Sequence, residues 1–241
     1  MGDAMEQKGD RPGHKDGPER KDGEGHRARL RGRLLADADG LLDHELVEYL
    51  LALAMPRIDT KPHAKRLLTE FGGLGPLFAA DAESLRRVTG IGDSSIAALK
   101  IVNAVAARML KSTAQARPIL SNWQALLDYL HVDMAHSAIE RVRVLHLNAK
   151  NMLIRDELMS EGSIDQAAVH VREVIRRAIE LGSSALILVH NHPSGDPQPS
   201  RADITLTRDI IEAGRRMDIQ VHDHVIIGAH GHASMRALGL I

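Results

Sequence analysis

Residues 185–203 read ALILVHNHPSGDPQPSRAD, and the rest of the chain is best read outward from them. Ala185 to Val189 is a short all-apolar run, the mark of a strand buried on both faces. His190 and His192 follow at i and i+2. On extended backbone such a pair projects to one side, so both rings can converge on one ion. A loop rich in Pro and Gly then ends at Ser200, a natural N-cap, which places Asp203 in the first turn of the next helix. Two histidines and a carboxylate leave a fourth tetrahedral position for water, the pattern of a catalytic rather than a structural zinc. Water bound to zinc ionises with a pKa of about 7.

The elements around this stretch alternate. Val142 to Leu147 reads as a strand, Asn148 to Asn151 as a turn and Met152 to Met159 as a second strand. Ser121 with Gln124 predicts a capped helix through Leu130, and Asp165 a cap for a helix from Gln166 to Leu181. After the loop come a helix over 201–217, a strand over 219–227 and a short strand over 232–235. Strands alternating with helices over 119–241 predict an α/β domain, an α-β-α sandwich around a mixed sheet.

Upstream the texture differs. From 27 to 113 the apolar residues recur at helical spacing, with breaks at Pro56, Pro62, Gly72 to Pro76 and Gly90 to Gly92, which predicts a small all-α domain. A linker over 114–118 follows. Residues 1–26 hold six Gly, two Pro, charges of both signs and three apolar side chains larger than Gly, the composition of a disordered polar tail.

Composition bounds the chemistry. The 241 residues include no cysteine, which excludes disulfides, thiol catalysis and iron–sulfur clusters, so a bound transition metal must use the 14 histidines and the carboxylates. The 31 basic and 32 acidic residues exclude a globally basic nucleic-acid binder. No apolar run reaches about 18 residues and the N-terminus is polar, so neither a membrane span nor a secretory signal is expected, and the cytoplasm is the expected location. Locally the average breaks down. Between 84 and 111, Arg86, Arg87, Lys100, Arg108 and Lys111 oppose only Asp93, around a Gly90-Ile91-Gly92 turn that resembles a helix-hairpin-helix motif. Amides at the start of the following helix can take a phosphate oxygen without reading sequence, so duplex DNA is an expected partner of this stripe.

The segment H190-N-H-P-x6-S200-x-x-D203 matches the JAMM metallopeptidase pattern of the JAB/MPN superfamily at every fixed position. It resembles the bacterial RadC family most closely, through LNAKNMLI, VREV and LVHNHPSGDPQPSRADI; the likeness covers nearly all of 119–241, and more weakly 27–113. The resemblance implies a JAB/MPN-like, deaminase-like sandwich and one zinc per chain on His190, His192 and Asp203. It also implies that Ser200 steadies the substrate oxygen and that a glutamate on an earlier strand handles the water proton. Glu157, Glu161 and Glu173 are the candidates, and Glu157, amid apolar neighbours on the second strand, is the expected base. His222 and His224 alternate on the last long strand and are expected to face one side, as residues that orient the ligands or as plain structure. His170 stands where the family has a histidine usually followed by proline, although here Val171 follows; His230 and His232 read as a solvated hairpin.

The implied reaction is hydrolysis of a peptide or isopeptide bond in a protein substrate. The alternative is a DNA-associated repair or recombination protein, with the zinc domain serving as nuclease or scaffold. No membrane partner is expected.

Overall fold

A computed structural model describes residues 22–162 and 169–241. Most of the expected tail, and Asp165 with Gln166, lie outside these residues. Six helices come first: α1 (Asp22–Ala36), α2 (Asp43–Ala54), α3 (Lys61–Phe71), α4 (Leu74–Ala79), α5 (Ala82–Arg87) and α6 (Asp93–Gln115). They close around Val47, Leu51, Ala64, Leu67, Leu77, Leu85, Val88, Ile91, Ile96 and Leu99. Helix α1 begins within the stretch expected to be tail. One of its side chains explains why: His26 Nε2 lies 2.8 Å from Oε1 of the buried Glu48, and Leu30 is buried one turn later. Similarly, α6 runs through the first two residues of the expected linker, because Ala114 is packed.

The turn between α5 and α6 needs its first glycine. Gly90 has φ +87°, and a Cβ there would stand 2.5 Å from His63 Nε2. The basic stripe around it is largely committed to the fold. Arg86 donates to Asp93 at 2.9 Å, Lys100 to the Ala80 carbonyl at 2.8 Å and Lys111 to Asp156 at 3.1 Å. Arg87 and Arg108 are the exposed members with no side-chain partner among the described residues.

A 3-10 turn, Ile119–Ser121, leads into α7 (Trp123–Met134). Ser121 does not cap that helix as expected. Its hydroxyl donates to Pro118 O at 2.8 Å and closes the 3-10 turn, so α7 starts at Trp123. Five strands then form one mixed sheet: β1 (Glu140–Leu147), β2 (Leu153–Gly162), β3 (Ala185–Asn191), β4 (Gln220–Gly228) and β5 (Gly231–Ser234), in the order β2-β1-β3-β4-β5. β3 runs antiparallel to β1 and parallel to β4, and all seven of its residues are buried. α7 covers one face over Leu145, Leu147, Ile187 and Val189. α8 (Val171–Glu180) and α9 (Arg201–Arg215) cover the other, over Val144, Leu186 and Leu188. The fold is the expected mixed-sheet α/β sandwich behind a helical region. α8 starts at Val171, five residues after the expected Gln166, with His170 as its N-cap. Val171 thus takes the N1 position, where proline is also well suited.

The helical region docks on the sheet through a buried carboxylate. Asp156 on β2 has no exposed side-chain surface; it accepts from Tyr129 Oη at 2.6 Å, Arg143 Nη2 at 2.7 Å and Lys111 Nζ from α6. Burial, with the Asp156 charge beside it, pushes the Tyr129 hydroxyl up, so it stays a donor. Removing one partner from such a cluster strands the others in a low dielectric. Asp156→Ala is expected to lower unfolding stability by roughly 3–5 kcal/mol in urea titrations. Leu158→Ala, at a half-exposed position on the same strand, is expected to cost less than about 1 kcal/mol.

Candidate metal centre

His190 is the second-last residue of β3, His192 begins the loop after it, and Asp203 lies in the first turn of α9, so the three expected ligands meet at the carboxyl end of the central strand. Their side chains converge. His190 Nε2 is 2.9 Å from His192 Nε2 and 3.5 Å from Asp203 Oδ1, and His192 Nε2 is 3.8 Å from Asp203 Oδ2. No fourth His, Asp or Glu among the described residues completes this group, and His192 and Asp203 remain partly exposed at 20% and 18% of their side chains. The arrangement has three protein donors and an open side.

The loop is held by its own chemistry. His192 N donates to Ile227 O on β4, and Gly195 N returns to His192 O at 2.9 Å with Gly195 at φ +84°. His192 Nδ1 faces the Asp196 carbonyl at 2.7 Å. A carbonyl only accepts, so Nδ1 carries the proton there and the neutral ring offers a lone pair at Nε2, toward the centre. Ser200 and Asp203 form a reciprocal capping box: Asp203 N donates to Ser200 Oγ at 3.1 Å and Ser200 N to Asp203 Oδ2 at 2.8 Å. The S-x-x-D spacing is therefore a helix start that also aims the Asp203 carboxylate. Ser200 Oγ accepts in this box.

Electrostatics suit a cation. Burial lowers His190 to about 4, so it is neutral near pH 7. His192 is raised, first by the Asp203 carboxylate facing it and against its own burial, with the Asp196 carbonyl and the Glu140 charge adding to the effect. Burial alone would raise Asp203, but the His192 and His190 rings beside it and the hydrogen bond from Ser200 hold its carboxyl well below the ordinary range. A neutral imidazole, a second imidazole that bares Nε2 toward the centre on losing one proton, and an ionised carboxylate make a donor set that fits a tetrahedral divalent metal.

Glu157 is not at this centre. It pairs with Val144, whereas His190 pairs with Val142, and its Oε1 accepts from Arg177 of α8 at 2.8 Å while Oε2 lies 3.4 Å from His146 Nε2. The carboxylate expected as base instead pins α8 against β2. Glu161 pairs with Arg141 at 3.5 Å and Glu173 with Arg176 at 2.9 Å, both at the surface. The glutamate coupled to the centre is Glu140, at the start of β1. It alternates onto the face of Val142 and Val144; burial and the Asp203 charge raise its carboxyl, and His192 opposes them. Asn191, fully buried between the two histidines, grips the backbone on both sides of it: Arg141 N donates to Asn191 Oδ1 at 2.9 Å, and Asn191 Nδ2 donates to Ile139 O at 3.1 Å. Sequence reasoning missed both residues. The available signal was the alternation of Glu140 with Val142, Val144 and His146.

His222 and His224 do not face one side. A register shift in β4, where Leu186 pairs with Val221 and Ile187 with Asp223, leaves His222 as the extra residue of a bulge. His222 Nε2 contacts Asn151 Oδ1 at 2.7 Å in the β1–β2 turn, while His224 stays in alternation and approaches His190. His230 and His232 are exposed at the β4–β5 hairpin.

A central strand ending in a His-x-His pair, joined over a helix that supplies the carboxylate, defines a JAB-type domain, and residues 120–240 match the RadC-like JAB domain. Over 213 residues the chain is 50% identical to the UPF0758 protein of Rhodobacter capsulatus, covering 88% of this chain and 100% of that protein. The chain belongs to the RadC family, within the JAMM superfamily. Among the described residues no helix is long and apolar enough to cross a membrane.

The loop's seat on β4 is close. A Cβ on Gly228 would stand 2.3 Å from Gly195 O and 2.9 Å from Pro197 Cδ, and neither atom is the end of a flexible side chain. Gly228→Ala is expected to lower the thermal midpoint by an amount equivalent to about 1–3 kcal/mol of overpacking. Gly92→Ala, where an added Cβ meets nothing, is expected to leave the midpoint within the range of neutral substitutions.

Proposed function

We propose that this chain is a zinc-dependent hydrolase of JAMM type that cleaves an amide bond, with a peptide or an isopeptide-linked protein as its substrate. The observation that carries the reading is the convergence of His190 Nε2, His192 Nε2 and Asp203 at an open strand end, with the Glu140 carboxyl coupled to the same group. Zinc held by these three side chains would supply a Lewis acid and a nucleophilic water near neutral pH.

The chain's own groups divide the rest of the work. Glu140, raised by burial, takes a proton from the attacking water and delivers it to the leaving amine. Asn191 sets where that carboxyl stands by holding the peptide groups on either side of it. Ser200 donates its hydroxyl proton to the oxygen that gains charge at the scissile carbonyl. The base role expected of Glu157 passes to Glu140 because Arg177 already occupies the Glu157 carboxylate. Duplex DNA contact, as a second activity of the 84–111 stripe, would rest on Arg87 and Arg108.

Elemental analysis of the purified protein after zinc supplementation is expected to give one zinc per chain, lost in His192→Ala. Cleavage of a mixed peptide library, followed by mass spectrometry of the new N-termini, is expected to fall about 10²–10⁴-fold in Glu140→Gln with zinc content kept. Glu157→Gln is expected to retain most activity in the same assay. Zinc-free wild-type protein would remove the hydrolase reading, and loss of cleavage in Glu157→Gln but not Glu140→Gln would reverse the base assignment.

A further inference from the structure

Behind the centre a chain of buried polar atoms runs from α9 through β4 back to β3. Thr207 Oγ1 lies 2.5 Å from the Asp203 carbonyl oxygen and 2.6 Å from His224 Nδ1, and His224 Nε2 lies 2.8 Å from His190 Nδ1. Thr207, His224 and His190 are each at most 1% exposed, so bulk water does not compete for these bonds. The chain begins at the backbone of one expected ligand and ends on the ring of another.

The direction of every proton in it can be worked out. Two oxygens at 2.5 Å need a hydrogen between them, and a carbonyl has none to give, so the Thr207 hydroxyl proton points to Asp203 O. Thr207 Oγ1 then turns a lone pair to His224 and must receive a proton from His224 Nδ1. With Nδ1 protonated, the neutral His224 ring has a lone pair at Nε2, and the His190 nitrogen facing it has to donate. His190 is thereby protonated at Nδ1 and bare at Nε2, and in the metal-free protein that lone pair accepts from His192 Nε2–H at 2.9 Å, the proton that a metal would replace. The opposite ordering would have Thr207 donate to His224 and leave two oxygen lone pairs facing each other at 2.5 Å.

From this geometry we infer that Thr207 and His224 are positioning residues that set the His190 tautomer: a relay anchored on the Asp203 carbonyl keeps the His190 Nε2 lone pair aimed at the metal position before any metal arrives. The inference rests on the metal-centre reading for its purpose, but the proton order is a property of the metal-free protein. The relay also ties α9, which carries Asp203, to β3, which carries His190. Second partners of ligating histidines of this kind typically contribute 10–100-fold to metal affinity.

The test reads the protons directly. In metal-free protein labelled with ¹⁵N-histidine, two-bond ¹H–¹⁵N spectra of the rings are expected to show His190 and His224 protonated at Nδ1 and unprotonated at Nε2. Thr207→Val keeps the side-chain shape and removes the donor. It is expected to shift the His190 ring signals toward a mixture of tautomers and to weaken zinc binding, measured by chelator competition, about 10–100-fold. Thr207→Ser should restore both readouts. A wild-type spectrum with the His190 proton on Nε2 would overturn the relay, and so would a Thr207→Val protein with an unchanged His190 tautomer and unchanged zinc affinity. Should wild-type protein bind no zinc while its spectrum has the expected order, the hydrolase reading fails and the relay stands.

Discussion

The pairing of β3 with β1 on one side and β4 on the other is the constraint from which the rest of the structure follows. Every residue of β3 is buried, so a slip of one position would exchange its two faces: Ile187 and Val189 under α7 would trade places with Leu186, Leu188 and His190 under α8 and α9. Apolar burial on both sides therefore fixes which way His190 points. Since β4 is parallel to β3, the connection must cross over the sheet, and α9 is that crossover. Its N-terminus comes to rest beside the carboxyl end of β3, the place where open α/β sheets hold their ligands. Asp203 reaches His190 and His192 for that reason.

The centre gathers groups that would each be unfavourable alone. Asp203 is partly buried as an ion, and His190 and His224 are buried polar rings. Each is made tolerable by a specific partner: Ser200 N–H for the carboxylate, His224 for His190, Thr207 for His224. Because His190 lies on β3, His224 on β4 and Thr207 on α9, the last two of these bonds hold β3, β4 and α9 in register around the cleft. Polar satisfaction at depth thus does what side-chain packing does elsewhere in the core.

The sequence was most legible where chemistry and local structure coincide. The His-x-His pair, the Ser200 cap and Asp203 lie within fourteen consecutive residues, and strand alternation with helix capping suffices to bring them together. The all-apolar run and the glycine turn at Gly90 announced the central strand and the helical hairpin in the same local way. What escaped was non-local. The start of α1 depends on His26 meeting Glu48, 22 residues away, and the bulge at His222 depends on how β4 fits against β3. The basic stripe looked free because a list of residues does not show that Lys100 caps α4 carbonyls or that Lys111 reaches a buried carboxylate on another element.

The choice between glutamates shows why such a site resists reading from spacing alone. Glu157 and Glu140 both lie on strands, and both alternate onto the face of the sheet that carries His190. What separates them is register along β1: Val142 stands opposite His190, Val144 opposite Leu188 and Glu157, and Glu140 beyond Val142 toward the open end. Moving from Glu157 to Glu140 therefore crosses the His190 row, from the floor beneath α8 to the mouth of the cleft. Under α8 a carboxylate is paired with Arg177; at the mouth burial and the Asp203 charge raise its affinity for a proton against the pull of His192. The same side chain is an ion-pair partner in one place and a candidate base in the other, and the pairing of β1 with β3, which brings together residues 50 apart such as Arg141 and Asn191, decides which.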